Sequence, residues 1–492
     1  MKSVALHNLG CKVNAYELDF MQQMLQEKGY KIVSFDEKAD VYIVNTCTVT
    51  NIADRKSRQM IHRARKQNPD AVVVAVGCYV ETGQENLEAD GAVDLAIGNN
   101  RKGELAEILA DYLRRRRPTG GETETPAEET ETTAERIKAS AERVSGSAGK
   151  RSVEIHKSDI GHMAESVEYE ELALQRTAGH TRAFLKIQDG CNQFCTYCII
   201  PYARGRIRSR RQENVLAEAV RLTEAGYQEL VLTGIHLSSY GVDRGGSELL
   251  PLLKDLSGLA GVKRIRLGSL EPGIVTEAFA KGLSALPKVC PHFHLSLQSG
   301  SDTVLRRMNR KYDTAAYLEA VTRLRKYYDN PALTTDVIVG FPGETETEFR
   351  ETEAFLSRVG FYEMHIFKYS ARRGTPAADM PGQLTEAEKA ARSERLMKLE
   401  REMSRTFRES FLGKEVPVLF EERIERDDGS WWIGHTPHYV RAACRIGADE
   451  AIGNPQSKDT SERGFSLQNT IVLCRITSFL EGDILLAEVS QN

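Results

Sequence analysis

The chain has 492 residues, 41% hydrophobic and 28% charged, a composition that excludes a fibrous or wholly disordered protein. Its formal net charge of −4 excludes a uniformly basic nucleic-acid binder, but residues 121–175 hold 13 acidic and 6 basic side chains, so the remainder is mildly positive. Nine cysteines without a signal-peptide pattern favour reduced thiols or metal ligands, and the apolar run AVVVAVGCYV is too short for a bilayer, so a cytoplasmic protein without membrane contact is expected.

Within residues 1–117 the apolar runs SVALHNLG, VYIVNT, AVVVAVG and DLAIG alternate with helical stretches at 14–29, 51–67, 81–89 and 101–113. Strands alternating with helices predict an α/β domain built on a doubly wound parallel sheet. Asn14 is expected to cap the first helix, and Thr50 or Asn51 the second. Residues 118–175 are rich in Glu, Thr, Ala and Ser and read as an acidic linker, disordered over 118–152, with helical tendency near 133–143. Six apolar strands follow within 176–411, at 184–188, 229–234, 264–269, 292–298, 334–340 and 364–370, separated by helical patterns. They predict a partial (β/α) barrel whose chemistry sits at the C-terminal strand ends. A charged helix over 386–411 leads to a β-rich segment, 412–492, which predicts a small closed barrel.

The loop DGCNQFCTYC places Cys191, Cys195 and Cys198 at C-x₃-C-x₂-C spacing after the first barrel strand. Thiolates are soft ligands for an iron–sulfur cluster, and three of them on a four-iron cube leave one iron open. A structural zinc site completed by His180 or His236 is the alternative. Cys11, Cys47 and Cys78 each follow a strand of the first domain. In a parallel sheet those ends share one edge, where three thiolates can meet a second cluster or, singly, pack as core residues. Arg55, Arg58, His62 and Arg65 lie along one helix face, and Arg204, Arg206, Arg208 and Arg210 alternate, so both sets can face phosphates or stay as solvated charge. Trp432, His435, Tyr439 and Arg441 on the last barrel suit base stacking, or a core.

With aromatic Tyr197 before the third cysteine, the triplet resembles the radical S-adenosylmethionine (SAM) superfamily. The resemblance implies a [4Fe–4S] cluster whose open iron binds SAM and cleaves it to a 5′-deoxyadenosyl radical. It also implies SAM contacts at strand ends, here Tyr197, Gly234, Glu271, Gln298 and Phe341. The three-part layout is similar to the methylthiotransferase branch. That likeness implies a second [4Fe–4S] cluster on Cys11, Cys47 and Cys78 and a C-terminal RNA-binding TRAM barrel, although His438 stands where TRAM segments usually carry asparagine. LGCKVNAYE, NTCTVTNIADRKSRQ and KIQDGCNQFCTYCIIPYARG resemble the members that act on N6-threonylcarbamoyladenosine beside the tRNA anticodon. The expected partners are tRNA and an external electron donor, with no indication of the sulfur source. The alternatives are isopentenyladenosine or a ribosomal-protein aspartate as target, or a non-catalytic iron–sulfur RNA-binding or electron-transfer protein.

Overall fold

Strands buried on both faces belong inside a parallel sheet that helices cover on both sides. VYIVNT and VVVAVG are buried at every position. The computed structural model describes residues 2–116, 141–144, 152–157, 168–177, 181–426, 429–445 and 466–490. It places those strands at the centre of a seven-stranded sheet. The strands are β1 (Ser3–Asn8), β2 (Lys31–Val33), β3 (Val41–Thr46), β4 (Val72–Gly77), β5 (Leu95–Ile97), β6 (Ala141–Val144) and β7 (Val153–His156), in the order β2-β1-β3-β4-β5-β7-β6. Within this sheet only the β6–β7 pair is antiparallel among the described residues. The connecting helices are α1 (Lys12–Glu27), α2 (Asn51–Gln67), α3 (Cys78–Thr82), α4 (Gln84–Asp90) and α5 (Leu105–Arg116). Met21 and Leu25 of α1 and Ile108 and Leu109 of α5 pack on one face, and Ile61 and Ala64 of α2 on the other.

The structure departs from the sequence pattern in two places here. The acidic stretch is not linker throughout, because β7 is buried at every position and pairs with β5. Leu172 and Leu174 enter the core of the next domain. Apolar segments this short carry little weight against the surrounding Glu and Thr. The helical tendency at 133–143 lies mostly outside the described residues, and its end belongs to β6. Asn14 does not cap α1, which starts at Lys12. Its side-chain amide instead donates to the Leu9 and Thr46 carbonyls at 2.7 and 3.0 Å. Thr50 does cap α2, accepting from the Ala53 N–H.

The second unit is a half barrel of six parallel strands: β8 (Ala183–Asp189), β10 (Glu229–Gly234), β11 (Arg264–Leu267), β12 (His292–His294), β13 (Ala332–Val339) and β14 (Glu363–Lys368). The bridges Ile265↔Val289 and Leu270↔Leu295 join its two sheets, and the short β9 (Arg208–Ser209) pairs antiparallel with β8. Leu185, Ile187, Leu230, Leu232, Ile265, Phe293 and Val337 form the core with the outer helices. Side chains alternate along a strand, so Lys186, Glu229, Arg266, His294 and Asp336 line the concave side.

After the helix Glu386–Glu409 comes a closed barrel of β15 (Glu415–Arg426), β16 (Gly429–His435), β17 (Arg441–Cys444), β18 (Thr470–Glu481) and β19 (Ile484–Val489), in the order β15-β16-β17-β19-β18. It closes the N-terminal end of the half barrel. Arg264 donates to the His435 and Pro417 carbonyls at 3.1 and 2.8 Å, and Arg266 to the Pro437 carbonyl at 2.9 Å. Between them the Tyr439 ring lies 5.0 Å from the Arg182 guanidinium and 4.8 Å from that of Arg266. No described helix is long and apolar enough to cross a membrane.

Candidate functional site

The first cysteine loop leaves β8 through Gly190, at φ +70, where a Cβ would sit 1.8 Å from the Arg206 carbonyl oxygen. Only glycine allows that approach. The Cys191 N–H bonds the Gly205 carbonyl at 3.0 Å, and the Cys198 N–H bonds the Cys195 carbonyl at 2.9 Å. Two donors point at sulfur: the Gln193 N–H to Cys191 Sγ at 3.4 Å, and Arg310 Nη1 to Cys195 Sγ at 3.0 Å. Arg310 Nη2 also holds Glu271 at 2.7 Å. Burial pushes the Cys191 thiol up to about 11 and that of Cys198 up to about 12. These thiols therefore keep their protons until a metal displaces them.

Cys11, Cys47 and Cys78 follow β1, β3 and β4 at one edge of the sheet. Their loops touch, since a Cβ on Gly10 would lie 3.2 Å from Cys47 Sγ. Asn99 Nδ2 donates to Cys78 Sγ at 3.5 Å and to the Ala203 carbonyl at 2.8 Å, so one side chain spans both cysteine loops. Burial raises Cys47 to about 11. Lys12, next to Cys11, keeps accessible surface, yet burial, Arg182 and Arg266 together lower it to about 8.

A buried ion cluster joins the two loops. Glu17 of α1 meets Lys186 at 2.7 Å and Arg204 at 2.9 Å and also pairs with Lys102. Asp189 meets Lys186 at 2.7 Å and Arg204 at 3.0 Å, and Arg204 donates to Asn14 at 2.8 Å. Burial opposes ionisation of Asp189, but Arg204, Lys186 and Arg208 overcome it and hold the carboxyl below its usual range. Three of the four alternating arginines are thus internal. Arg204 sits in this cluster, Arg208 donates to the Arg204 carbonyl at 2.8 Å, and Arg210 pairs with Glu218 and Glu171 at 2.5 and 2.8 Å. Arg206 is exposed, with its guanidinium 4.8 Å from the Phe194 ring.

Two family descriptions match the chain, the radical SAM superfamily over residues 185–356 and uncharacterized protein family UPF0004 over residues 3–98. The threonylcarbamoyladenosine tRNA methylthiotransferase MtaB of Bacillus subtilis is 38% identical over 455 residues, 92% of this chain and 92% of its own length. The chain belongs to the radical SAM methylthiotransferase family. The Aquifex aeolicus protein of the same name is 39% identical over 85% of this chain and 93% of its own. A Moorella thermoacetica tRNA-2-methylthio-N(6)-dimethylallyladenosine synthase is 36% identical over 87% of this chain and 88% of its own. In fold, the chain is similar to the radical SAM methyltransferase TsrM of Kitasatospora setae, solved with cobalamin and a [4Fe–4S] cluster. The TM-score is 0.54 at 15% identity, over 77% of this chain and 74% of that one.

A radical SAM methylthiotransferase works with [4Fe–4S] clusters and SAM. The cysteines present fit such clusters. Neither triplet brings its three sulfurs within 4.8 Å of one another, as one tetrahedral ion requires, and N–H groups donate to Cys78, Cys191 and Cys195. His236 is not a zinc ligand in waiting, because it meets Ser239 at 2.5 Å and Glu271 at 3.2 Å; His180 lies outside the described residues.

Of the residues expected to hold SAM, Tyr197 and Phe341 meet edge-on at 6.5 Å, and Phe341 is fully buried, so only its backbone can reach a ligand. Gln298, at φ +72, ties its backbone to Asp336 and Ile338. A Cβ on Gly234 would press Gln188 at 3.0 Å. Glu271 lies near the Cys191 loop, where a cleft of about 550 Å³ opens beside Gln193 and His236. Arg310 escaped the sequence reading because a cation in a loop has no period to mark it.

The expected RNA contacts fare unevenly. Arg55 is exposed, and Arg58 donates to the Tyr79 hydroxyl at 3.4 Å. Arg65 is structural, bound to the Ala71 and Ala92 carbonyls at 2.8 and 3.0 Å and to Asp94. Trp432 is buried in the C-terminal core, since so small a barrel fills its interior with its largest rings. His435 stacks on Tyr439 at 4.5 Å and bonds Glu421, and both rings belong to the interface with the half barrel. Arg441 remains at the surface, 3.8 Å from Asp483.

Proposed function

We propose that this protein is a tRNA methylthiotransferase that converts N6-threonylcarbamoyladenosine beside the anticodon to its 2-methylthio derivative. The observation that carries this reading is the pair of cysteine triplets whose segments the Glu17–Arg204 cluster joins, in a chain similar along 92% of its length to the Bacillus subtilis enzyme. When bound, the clusters and SAM supply the electron, the radical and the sulfur.

Cys191, Cys195 and Cys198 would hold the cluster that meets SAM, and Cys11, Cys47 and Cys78 the second. Tyr197, Gly234, Glu271, Gln298 and Phe341 form the SAM-facing set, Phe341 through its backbone. Residues 1–117 with β7 act as the methylthiotransferase domain, 176–411 as the radical SAM domain and 412–492 as a TRAM barrel. Arg55, Arg58 and Arg441 are the basic residues left to meet RNA phosphates. An external electron donor completes the reaction, which takes place in the cytoplasm.

Arg310 positions Cys195 and Glu271 together. Arg310→Leu removes an N–H···S donor and a positive charge, both of which favour the reduced cluster. The reduction potential should fall, and 5′-deoxyadenosine release should slow by about tenfold or more. An EPR-monitored redox titration and a product assay check both outcomes.

The proposal is tested by mass spectrometry of tRNA nucleosides from cells with and without the gene. Loss of 2-methylthio-threonylcarbamoyladenosine, with its precursor accumulating, is expected. Loss of the 2-methylthio isopentenyl nucleoside instead would favour the activity named for the Moorella thermoacetica relative.

A further inference from the structure

The concave side of the half barrel carries polar side chains that neither cysteine loop uses. His294, Asp336 and His365 stand on β12, β13 and β14, and their ligand atoms all lie within 4.8 Å of one another. Register places Asp336 directly beside His365. His294 presents Nε2 to the Asp336 carboxylate at 3.4 Å, its Nδ1 lies 3.0 Å from Thr334 Oγ1, and its ring stacks on His365 at 5.9 Å. The strand neighbours Phe293, Leu295, Val337 and Met364 are core residues on the opposite face. By alternation the cluster faces the lumen, and exposed His365 leaves it open on one side.

A lone cation shares this lumen. Lys12 opens α1, which packs against β8 and β10, the strands that carry Lys186 and Glu229 on their concave side. Arg182, Arg266 and Glu229 act on its ammonium group, and His292 lies in the field of both Lys12 and His294. Arg182 is paired with Glu421, and Arg266 with Glu229. Lys12 has no hydrogen-bond or ion-pair partner among the described residues. A cation held among cations is stabilised by an incoming anion.

Threonylcarbamoyl is a urea that carries a hydroxyl and a carboxylate. Resting on the substrate reading above, the geometry points to this lumen as the pocket for that N6 substituent. Lys12 pairs with the carboxylate, while Asp336 and the two histidines take the hydroxyl and urea hydrogens. An isopentenyl group offers none of these partners and leaves the Lys12 ammonium without an anion, so the same residues disfavour it.

The test gives anaerobic, cluster-loaded, full-length protein two anticodon stem-loop RNAs. One carries threonylcarbamoyladenosine, and the other has its threonine carboxylate converted to a methylamide. Wild type is expected to favour the acid through KM by about 10- to 100-fold, the worth of a charge-assisted hydrogen bond. Lys12→Gln should lose that preference, and Lys12→Arg should keep part of it. His365→Phe, on a separate element, should raise KM for both RNAs alike, with iron and sulfide content confirming equal loading. An acid preference unchanged in Lys12→Gln overturns the proposal and leaves the substrate assignment standing. A wild type that modifies isopentenyladenosine RNA and ignores both threonylcarbamoyl RNAs overturns both. One tightly bound zinc, manganese or cobalt ion per chain, lost in His294→Ala, assigns the cluster to a metal and overturns its role in substrate binding.

Discussion

Alanine at Cys47 is expected to abolish methylthio transfer, by more than about 100-fold, while SAM cleavage to 5′-deoxyadenosine continues at a measurable rate. Cys47 is buried at the end of β3, against Gly10 of the loop that carries Cys11. Without it two thiolates remain, and no histidine or carboxylate among the described residues shares a metal-sized group with them. The triplet at 191–198 belongs to a different loop on a different sheet, so its own ligands are untouched. Cys195→Ala should remove both products, because that sulfur belongs to the loop proposed to hold the SAM-cleaving cluster. Anaerobic reconstitution, iron and sulfide analysis and chromatography of both products check this pair of outcomes. Methylthio product from Cys47→Ala protein carrying a single cluster would sink the assignment of the first triplet.

Glu17→Ala is expected to cost about 3–5 kcal/mol of stability, the range for breaking a buried ion pair. Glu17, Lys102, Lys186 and Arg204 are all essentially inaccessible to solvent. Removing Glu17 leaves three cations facing Asp189 alone. Glu17→Gln keeps the volume and loses only the charge, so it should cost nearly as much, and adding Lys102→Met should recover part of the loss by restoring the balance. Urea denaturation of all three variants measures this, and cluster loading should fall in parallel, because Asp189 immediately precedes Gly190 and Cys191. A loss below about 1 kcal/mol, typical of an exposed pair, would show that water reaches the cluster.

The residues differ in how plainly they announce their places. ELVLTG was expected as a strand at 229–234, and the strand is Glu229–Gly234, because a buried apolar run bounded by Gly and polar residues has few other homes. Cys11, Cys47 and Cys78 stood out for a related reason, since each follows a strand, whereas Cys191, Cys195 and Cys198 stood out by their short spacing in one loop. The Glu17–Arg204 cluster was not readable, because its partners lie 187 positions apart and leave no local pattern. The alternating arginines had the period of an exposed edge, but a period says only which residues share a side, not what covers that side. Trp432 and Tyr439 carried the same ambiguity; Trp432 is buried in the C-terminal core, and the Tyr439 ring is engaged by Arg182, Arg266 and His435 at the half-barrel interface. β7 was hidden by composition, since its two apolar residues, Val153 and Ile155, vanish inside a long acidic stretch.

The floor under the lumen is supplied by the domain that comes last in the chain. Tyr439, wedged between Arg182 and Arg266, makes the C-terminal barrel part of the chamber wall rather than a tethered appendage. An RNA gripped on the outer surface of that barrel would be held at a set offset from the chamber, as by a ruler. Selection of one nucleotide in a loop then becomes a matter of distance as well as of chemistry.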